Sequence, residues 1–245
     1  MSEQLLIHDG KILKFNEDRL VWTTAAGPSY PTDGLQDLWF FEDSLVGVNG
    51  TTITNNGMSY DYITSGLNSG KGLRQTNAPT VGKNMNIADS FFSTFGNASQ
   101  AATFNAWIYT PSNASPAWTA YFGKGTTHTD PAVALFHFTW NNPYNNWSFG
   151  RFGQANNTSG NWTGDAWHMF TLTWDGTTWT AYLDNVLRGT GTNGAPTNTS
   201  TPWVVFGVWQ NETAFQYSAI SQLGAWNKVL DSTERDQLWN GGSGI

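Results

Sequence analysis

The stretch Trp167-His168-Met169-Phe170-Thr171-Leu172-Thr173-Trp174-Asp175-Gly176, followed shortly by Trp179-Thr180-Ala181-Tyr182-Leu183, decides the fold. Its first eight residues alternate. His168, Phe170, Leu172 and Trp174 fall on one parity, and Trp167, Met169, Thr171 and Thr173 on the other. A strand sends two such sets to opposite faces of a sheet, whereas a helix would scatter them around its axis. Asp175-Gly176 between the two runs is a hairpin signal, because glycine accepts the backbone angles a tight turn requires. The stretch predicts two antiparallel strands in a sheet packed on a second sheet.

The same period of two recurs upstream. Phe104, Ala106 and Ile108 share a parity in Thr103 to Tyr109, as do Phe136, Phe138 and Trp140 in Val133 to Trp140. Aromatic residues are 15% of the chain and charged residues only 12%, a mixture suited to pleated surfaces joined by polar turns. Two places read as helical. Asp231 and Glu234 have capping-box spacing in a segment running to Trp239, with Gly241-Gly242 to end it. A shorter helical turn is expected around Ile87 to Phe92. With 245 residues, the expectation is an all-β, two-sheet antiparallel sandwich with a short C-terminal helix and a small N-terminal β arm.

The arm comprises residues 1–33 and the sandwich residues 34–245. Leu5-Leu6-Ile7-His8 and Lys11-Ile12-Leu13-Lys14-Phe15 flank Asp9-Gly10, and Asn16-Glu17-Asp18 turns into Arg19-Leu20-Val21-Trp22. Strands this short bury little apolar surface, so the arm needs a partner surface. Leu5, Ile7, Ile12, Leu13, Phe15, Leu20 and Trp22 are the candidate anchoring residues. The alternative is an edge hairpin added to the chain's own sandwich. Thr23 to Asp33, with Gly27, Pro28 and Pro31, reads as a linker.

Charge and composition exclude several functions. A net charge of −7 with no Lys/Arg cluster argues against nucleic-acid binding. No cysteine is present, which removes thiolate chemistry and Cys-zinc sites. No apolar run has membrane-spanning length. Met1-Ser2-Glu3-Gln4 lacks the basic and apolar regions of a secretion signal, so an extracellular role would need another route, such as lysis.

Several stretches together resemble the laminin-G-like jelly-roll domains of the concanavalin-A-like lectin/glucanase superfamily. The Trp167–Gly176 strand and turn lead into Tyr182-Leu183-Asp184-Asn185, where the family has a Tyr-Val-Asp-Gly-like bend and Asn185 stands for the glycine. Leu38-Trp39-Phe40-Phe41-Glu42-Asp43 resembles the opening strand, and Phe104-Asn105-Ala106-Trp107-Ile108 a strand leading into Pro111. Leu223 to Leu230 and the capped helix resemble the closing strand and terminal helix. The resemblance implies a place for structural calcium, but the usual acidic pair is replaced by Ala219-Ile220-Ser221-Gln222. Glu42 and Asp43 remain as weak calcium candidates, and no other cofactor is implied. The glucanase branch clusters acidic residues as Glu-x-Asp-x-x-Glu on one strand, and that strand is missing here.

The glycan-binding candidates are Trp140, Asn142, Tyr144, Asn146 and Trp147, with Trp162 in the following Asn-rich stretch. Sugar recognition uses an aromatic plate against C–H groups and amides against hydroxyls. The competing reading makes the tryptophans core packing and the asparagines turn formers. His8, His128, His137 and His168 form no metal or triad pattern, and His168 reads as a satisfied, half-buried strand residue.

Three functions are consistent with these features. One is a non-catalytic decoration or display protein of a bacteriophage particle, held among other virion proteins in an oligomeric assembly and exposing a jelly roll. The second is a carbohydrate-binding adhesin or module at a cell surface or outside the cell. The third is a glucanase-like hydrolase.

Overall fold

A computed structural model describes residues 7–8, 11–16, 19–24, 30–68, 70–76, 83–88, 90–95, 100–112, 118–124, 136–141, 146–150, 156–157, 163–192, 203–207 and 218–245. The chain divides into two compact units, Met1–Tyr30 and Pro31–Ile245.

In the first unit, β1 (Ile7–His8), β2 (Lys11–Asn16) and β3 (Arg19–Thr24) form a three-stranded antiparallel sheet. Leu13 is paired with Trp22, Phe15 with Leu20, and Ile7 with Ile12. Directly opposed residues share a face and successive residues alternate. Leu13, Phe15, Leu20 and Trp22 therefore lie on one face, Ile7 and Ile12 on the other. Leu5 lies outside the described residues.

The second unit opens with β4 (Leu35–Trp39), β5 (Thr54–Asn56), β6 (Tyr60–Thr64), β7 (Lys71–Gln75), β8 (Asn84–Ile87) and β9 (Ala102–Tyr109). Then come β10 (Trp118–Lys124), β11 (Phe136–Asn141), β12 (Asn146–Gly150), β13 (Asn156–Asn157), β14 (Trp167–Trp174) and β15 (Trp179–Leu183). β16 (Val186–Gly191), β17 (Trp203–Gly207) and β18 (Ala219–Trp226) precede helix α1 (Ser232–Trp239) and a 3-10 turn at Asn240–Gly242. One sheet has the order β13-β12-β11-β10-β17-β8-β5. The other has β16-β15-β14-β9-β18-β7-β6, with β4 also paired to β18. The ladders are antiparallel in both. This is the expected all-β jelly-roll sandwich.

The alternation read from Trp167 to Trp174 holds. Phe170, Leu172 and Trp174 are opposed to Ala106, Phe104 and Ala102 on β9, and all of them join the core. Trp203 sits at the centre of that core and is fully buried. Its ring stacks on Phe122 at 5.4 Å and 16° and contacts Phe104 of the opposite sheet at 5.6 Å. Its indole N–H donates to the Phe91 carbonyl at 2.7 Å, which removes the cost of a buried unpaired donor.

The helical turn expected around Ile87 to Phe92 is not a helix. Ile87 is the last residue of β8, and two successive turns follow, closed by Phe91 N–H to Ala88 O and Phe95 N–H to Phe92 O. Phe92 has φ 50°, which breaks a helix but lays its ring parallel to Trp203. The terminal helix does form, and its capping box is complete: Asp231 accepts from the Glu234 N–H and the Glu234 carboxylate accepts from the Asp231 N–H. α1 lies on the outer face of the β16-to-β6 sheet, where Trp239 stacks on Trp107 at 5.3 Å and Arg235 lies over the Tyr182 ring.

Closely packed aromatic cores tolerate truncation poorly. Trp203→Ala should cost about 4 kcal/mol of unfolding free energy, measured by urea denaturation. Asp231→Ala, which removes only the cap, should cost about 1 kcal/mol.

Candidate functional site

The predicted glycan stretch falls on the β11–β12 hairpin. Trp140 is paired with Trp147 and Asn141 with Asn146. Phe138 and Phe149 form the next pair on the same parity as the tryptophans, and Phe149 is fully buried. Trp140 and Trp147 thus share the register parity of Phe149, and Asn141 and Asn146 the opposite parity. The aromatic pair and this amide pair are on opposite sides of the sheet. Asn142, Tyr144 and Trp162 lie outside the described residues.

His168 is half-buried and hydrogen-bonded, as its place in the strand predicts. Its Nδ1 lies 2.7 Å from Asp184 Oδ2 and its Nε2 lies 3.0 Å from the Thr163 carbonyl. Both of these neighbours are acceptors and favour the imidazolium form, while the Thr163 hydroxyl, 3.3 Å from Nε2, can donate to the neutral ring. The Asp184 Oδ1 accepts from the Met169 N–H at 3.0 Å. Asp184 and Asn185 have φ of 52° and 58°, the paired left-handed angles of a tight hairpin turn, in line with Asn185 standing where the family has glycine. The imidazole thereby ties the turn between β15 and β16 to the segment entering β14.

Other carboxylates are also engaged in holding backbone. Asp37 is fully buried and accepts from the backbone N–H groups of Leu38, Asn49 and Thr51, each at 2.8 Å. Asp165, at φ 63°, accepts from the Ser112 N–H at 3.0 Å and from the Ser112 hydroxyl. Those bonds hold its carboxyl below the usual range. Asp175 is lowered likewise by the Thr178 and Thr177 N–H groups and the Thr177 hydroxyl. These residues are fixed by roles in the fold, which differs from two carboxylates facing each other across a cleft.

The two calcium candidates, Glu42 and Asp43, both meet Lys71. Glu42 Oε1 accepts from its backbone N–H at 3.1 Å, and Asp43 pairs with its ammonium. Among the described residues no three His, Cys, Asp or Glu side chains cluster as a metal site would require. The stretch that replaces the family's acidic pair has a different task. Gln222 sits in a bulge of β18 at φ 47°, and its buried amide makes two bonds to Ile245, Nε2 to O at 2.8 Å and N to Oε1 at 3.0 Å. Gly244, at φ 64°, leaves room for that amide, since a Cβ there would lie 2.6 Å from Gln222 Nε2. No sequence motif announces this arrangement.

The His168 clamp has a pH signature. Burial disfavours the charged ring, but the Asp184 hydrogen bond and charge, with the Thr163 carbonyl, outweigh it and raise the pKa above 6.5. A group raised in the folded state stabilises fully below its unfolded value and loses that contribution as pH rises through the folded value. Unfolding free energy should therefore fall as pH rises above 6.5, and this fall should disappear in His168→Gln. NMR titration of the ring in Asp184→Asn should give a lower pKa than in the wild type.

Residues 82–234, more than half of the chain, match the family model described as the concanavalin A-like lectin/glucanases superfamily, in its laminin-G group. No curated protein matches. Among solved structures of similar fold, Trypanosoma rangeli sialidase with 2,3-difluorosialic acid aligns at TM-score 0.63 and 14% identity, over 86% of this chain and 33% of that one. The binding domain of Paraclostridial Mosquitocidal Protein 1 aligns at 0.63 and 14%, over 85% and 52%. The botulinum neurotoxin serotype G binding domain aligns at 0.59 and 13%, over 84% and 50%. The chain thus spans a third to about half of the length of these proteins, and at such identities the likeness is one of fold. With the two antiparallel sheets, the Trp-His strand and the Asp184-Asn185 bend in place, the chain belongs to the laminin-G-like group of the concanavalin-A-like lectin/glucanase superfamily.

Proposed function

We propose that this protein is a non-catalytic recognition module, with a sandwich that binds carbohydrate and an N-terminal sheet that attaches it to a larger assembly. The setting is the surface of a bacteriophage particle, where the first unit docks on another virion protein and the jelly roll faces outward. The register of the first unit carries this reading. Leu13, Phe15, Leu20 and Trp22 fall on one face and Ile7 and Ile12 on the other. A sheet of three short strands with apolar residues on both faces needs a partner surface to be stable.

Carbohydrate as the ligand is supported by the superfamily and by a composition rich in Asn, Thr and Trp. That a toxin binding domain and a neurotoxin binding domain share the fold is consistent with recognition as its use. Against hydrolysis stand the missing Glu-x-Asp-x-x-Glu strand and the structural engagement of Asp37, Asp165 and Asp184.

A photo-crosslinking residue placed at position 13 or 22 of the full chain should link to a different polypeptide of the particle. Links confined to residues 31–245 of the same molecule would contradict the attachment role. On an oligosaccharide array the wild-type protein should retain a ligand without releasing shorter products.

A further inference from the structure

The outer face of the β16-to-β6 sheet is covered by α1 over Trp107 and Tyr182, but a second aromatic pair stands beside that cover. Tyr109 and Trp167 are opposed across β9 and β14, both half-buried, with ring centroids 5.8 Å apart. The row continues from Tyr109 through Ala219 and Arg74 to Asp61, so four neighbouring strands bring these side chains onto one face beside Trp167.

The floor of this row is made of small residues. A Cβ on Gly72 would lie only 2.6 Å from Trp167 Cη2, so the indole is laid across the sheet because β7 has no side chain at that point. Polar groups stand at both ends. Arg74 Nε donates to Asp61 Oδ1 at 2.9 Å and a second guanidinium N–H meets Oδ2, a two-point pair whose side chains remain 34% and 41% exposed. At the other end the Tyr109 hydroxyl lies 3.4 Å from the Asp165 carboxylate, which Ser112 also holds. The Asp165 and Asp61 oxygens are fixed in place by these bonds and retain further acceptor capacity.

We infer that this shelf, Tyr109 and Trp167 between the Arg74–Asp61 pair and Asp165, is a binding subsite for a neutral saccharide. The Trp167 ring takes the C–H face of a pyranose, with the Tyr109 ring tilted 49° beside it, and the fixed carboxylates accept from the sugar hydroxyls. The Asp165 carboxylate at one end and a net charge of −7 disfavour an anionic sugar, the Arg74 guanidinium at the other end being already engaged by Asp61. The inference rests on the carbohydrate reading above but places the ligand away from the β11–β12 hairpin.

The probe is a set of glucose-, galactose- and N-acetylglucosamine-terminated oligosaccharides, with sialylated ones for comparison, offered to the full chain. For the best binder, NMR titration of the wild-type protein should shift the Trp167 indole N–H, assigned with Trp167→Phe. Arg74→Gln should weaken binding about tenfold while melting like the wild type, and Asp165→Asn should weaken it comparably at a temperature where the variant, destabilised by the weakened Ser112 contacts, is still fully folded. A bound neutral saccharide that leaves the Trp167 signal unmoved, or that Trp147→Ala abolishes while Arg74→Gln and Asp165→Asn leave it intact, overturns the shelf and spares the carbohydrate reading. Preference for sialylated probes overturns the neutral-ligand assignment. If no saccharide binds the wild type, both the shelf and the carbohydrate reading fail.

Discussion

Trp203 is the point at which the two sheets of the sandwich become one body. It belongs to β17, yet its ring reaches Phe104 on the facing sheet and is wedged among Phe91, Phe92 and Phe95 from the turns after β8. A buried indole has both a large apolar surface and a donor that must be paired. Here the Phe91 carbonyl pairs it, so the turn between β8 and β9 is constrained by the core it covers. The unusual backbone of Phe92 follows from the same constraint, since a left-handed angle is tolerated where ring stacking offsets it.

Much of this order was legible in the sequence wherever the information is local. The alternation of Trp167 to Trp174 told which residues face the core, and the Asp231–Glu234 spacing told where the helix begins. The bend at Asp184-Asn185 was legible because few residues other than glycine and asparagine tolerate its angles. Long-range constraints were not legible. Nothing around Phe91 and Phe92 states that Trp203 will claim their carbonyl and ring, so a helical turn was expected there. Gln222 offers no hint that its amide will meet Ile245, and Asp37 none that it will collect three backbone N–H groups.

The two sugar-binding candidates differ in the same way. The hairpin from Trp140 to Trp147 is legible because its residues are adjacent, but sheet register gives the tryptophans and the Asn141–Asn146 pair opposite parity. The shelf is not legible in the sequence, because Asp61, Arg74, Tyr109 and Trp167 become neighbours only through the pairing of β6, β7, β18, β9 and β14. A rigid aromatic core leaves the outer faces and hairpin ends free to carry recognition, while many carboxylates are committed to holding loops.

A crystal structure of the full chain with a saccharide selected on the array tests this account most directly. An intact saccharide lying with a ring against aromatic side chains on the outside of the sandwich is the predicted result. A cleaved saccharide held between two carboxylates would contradict it.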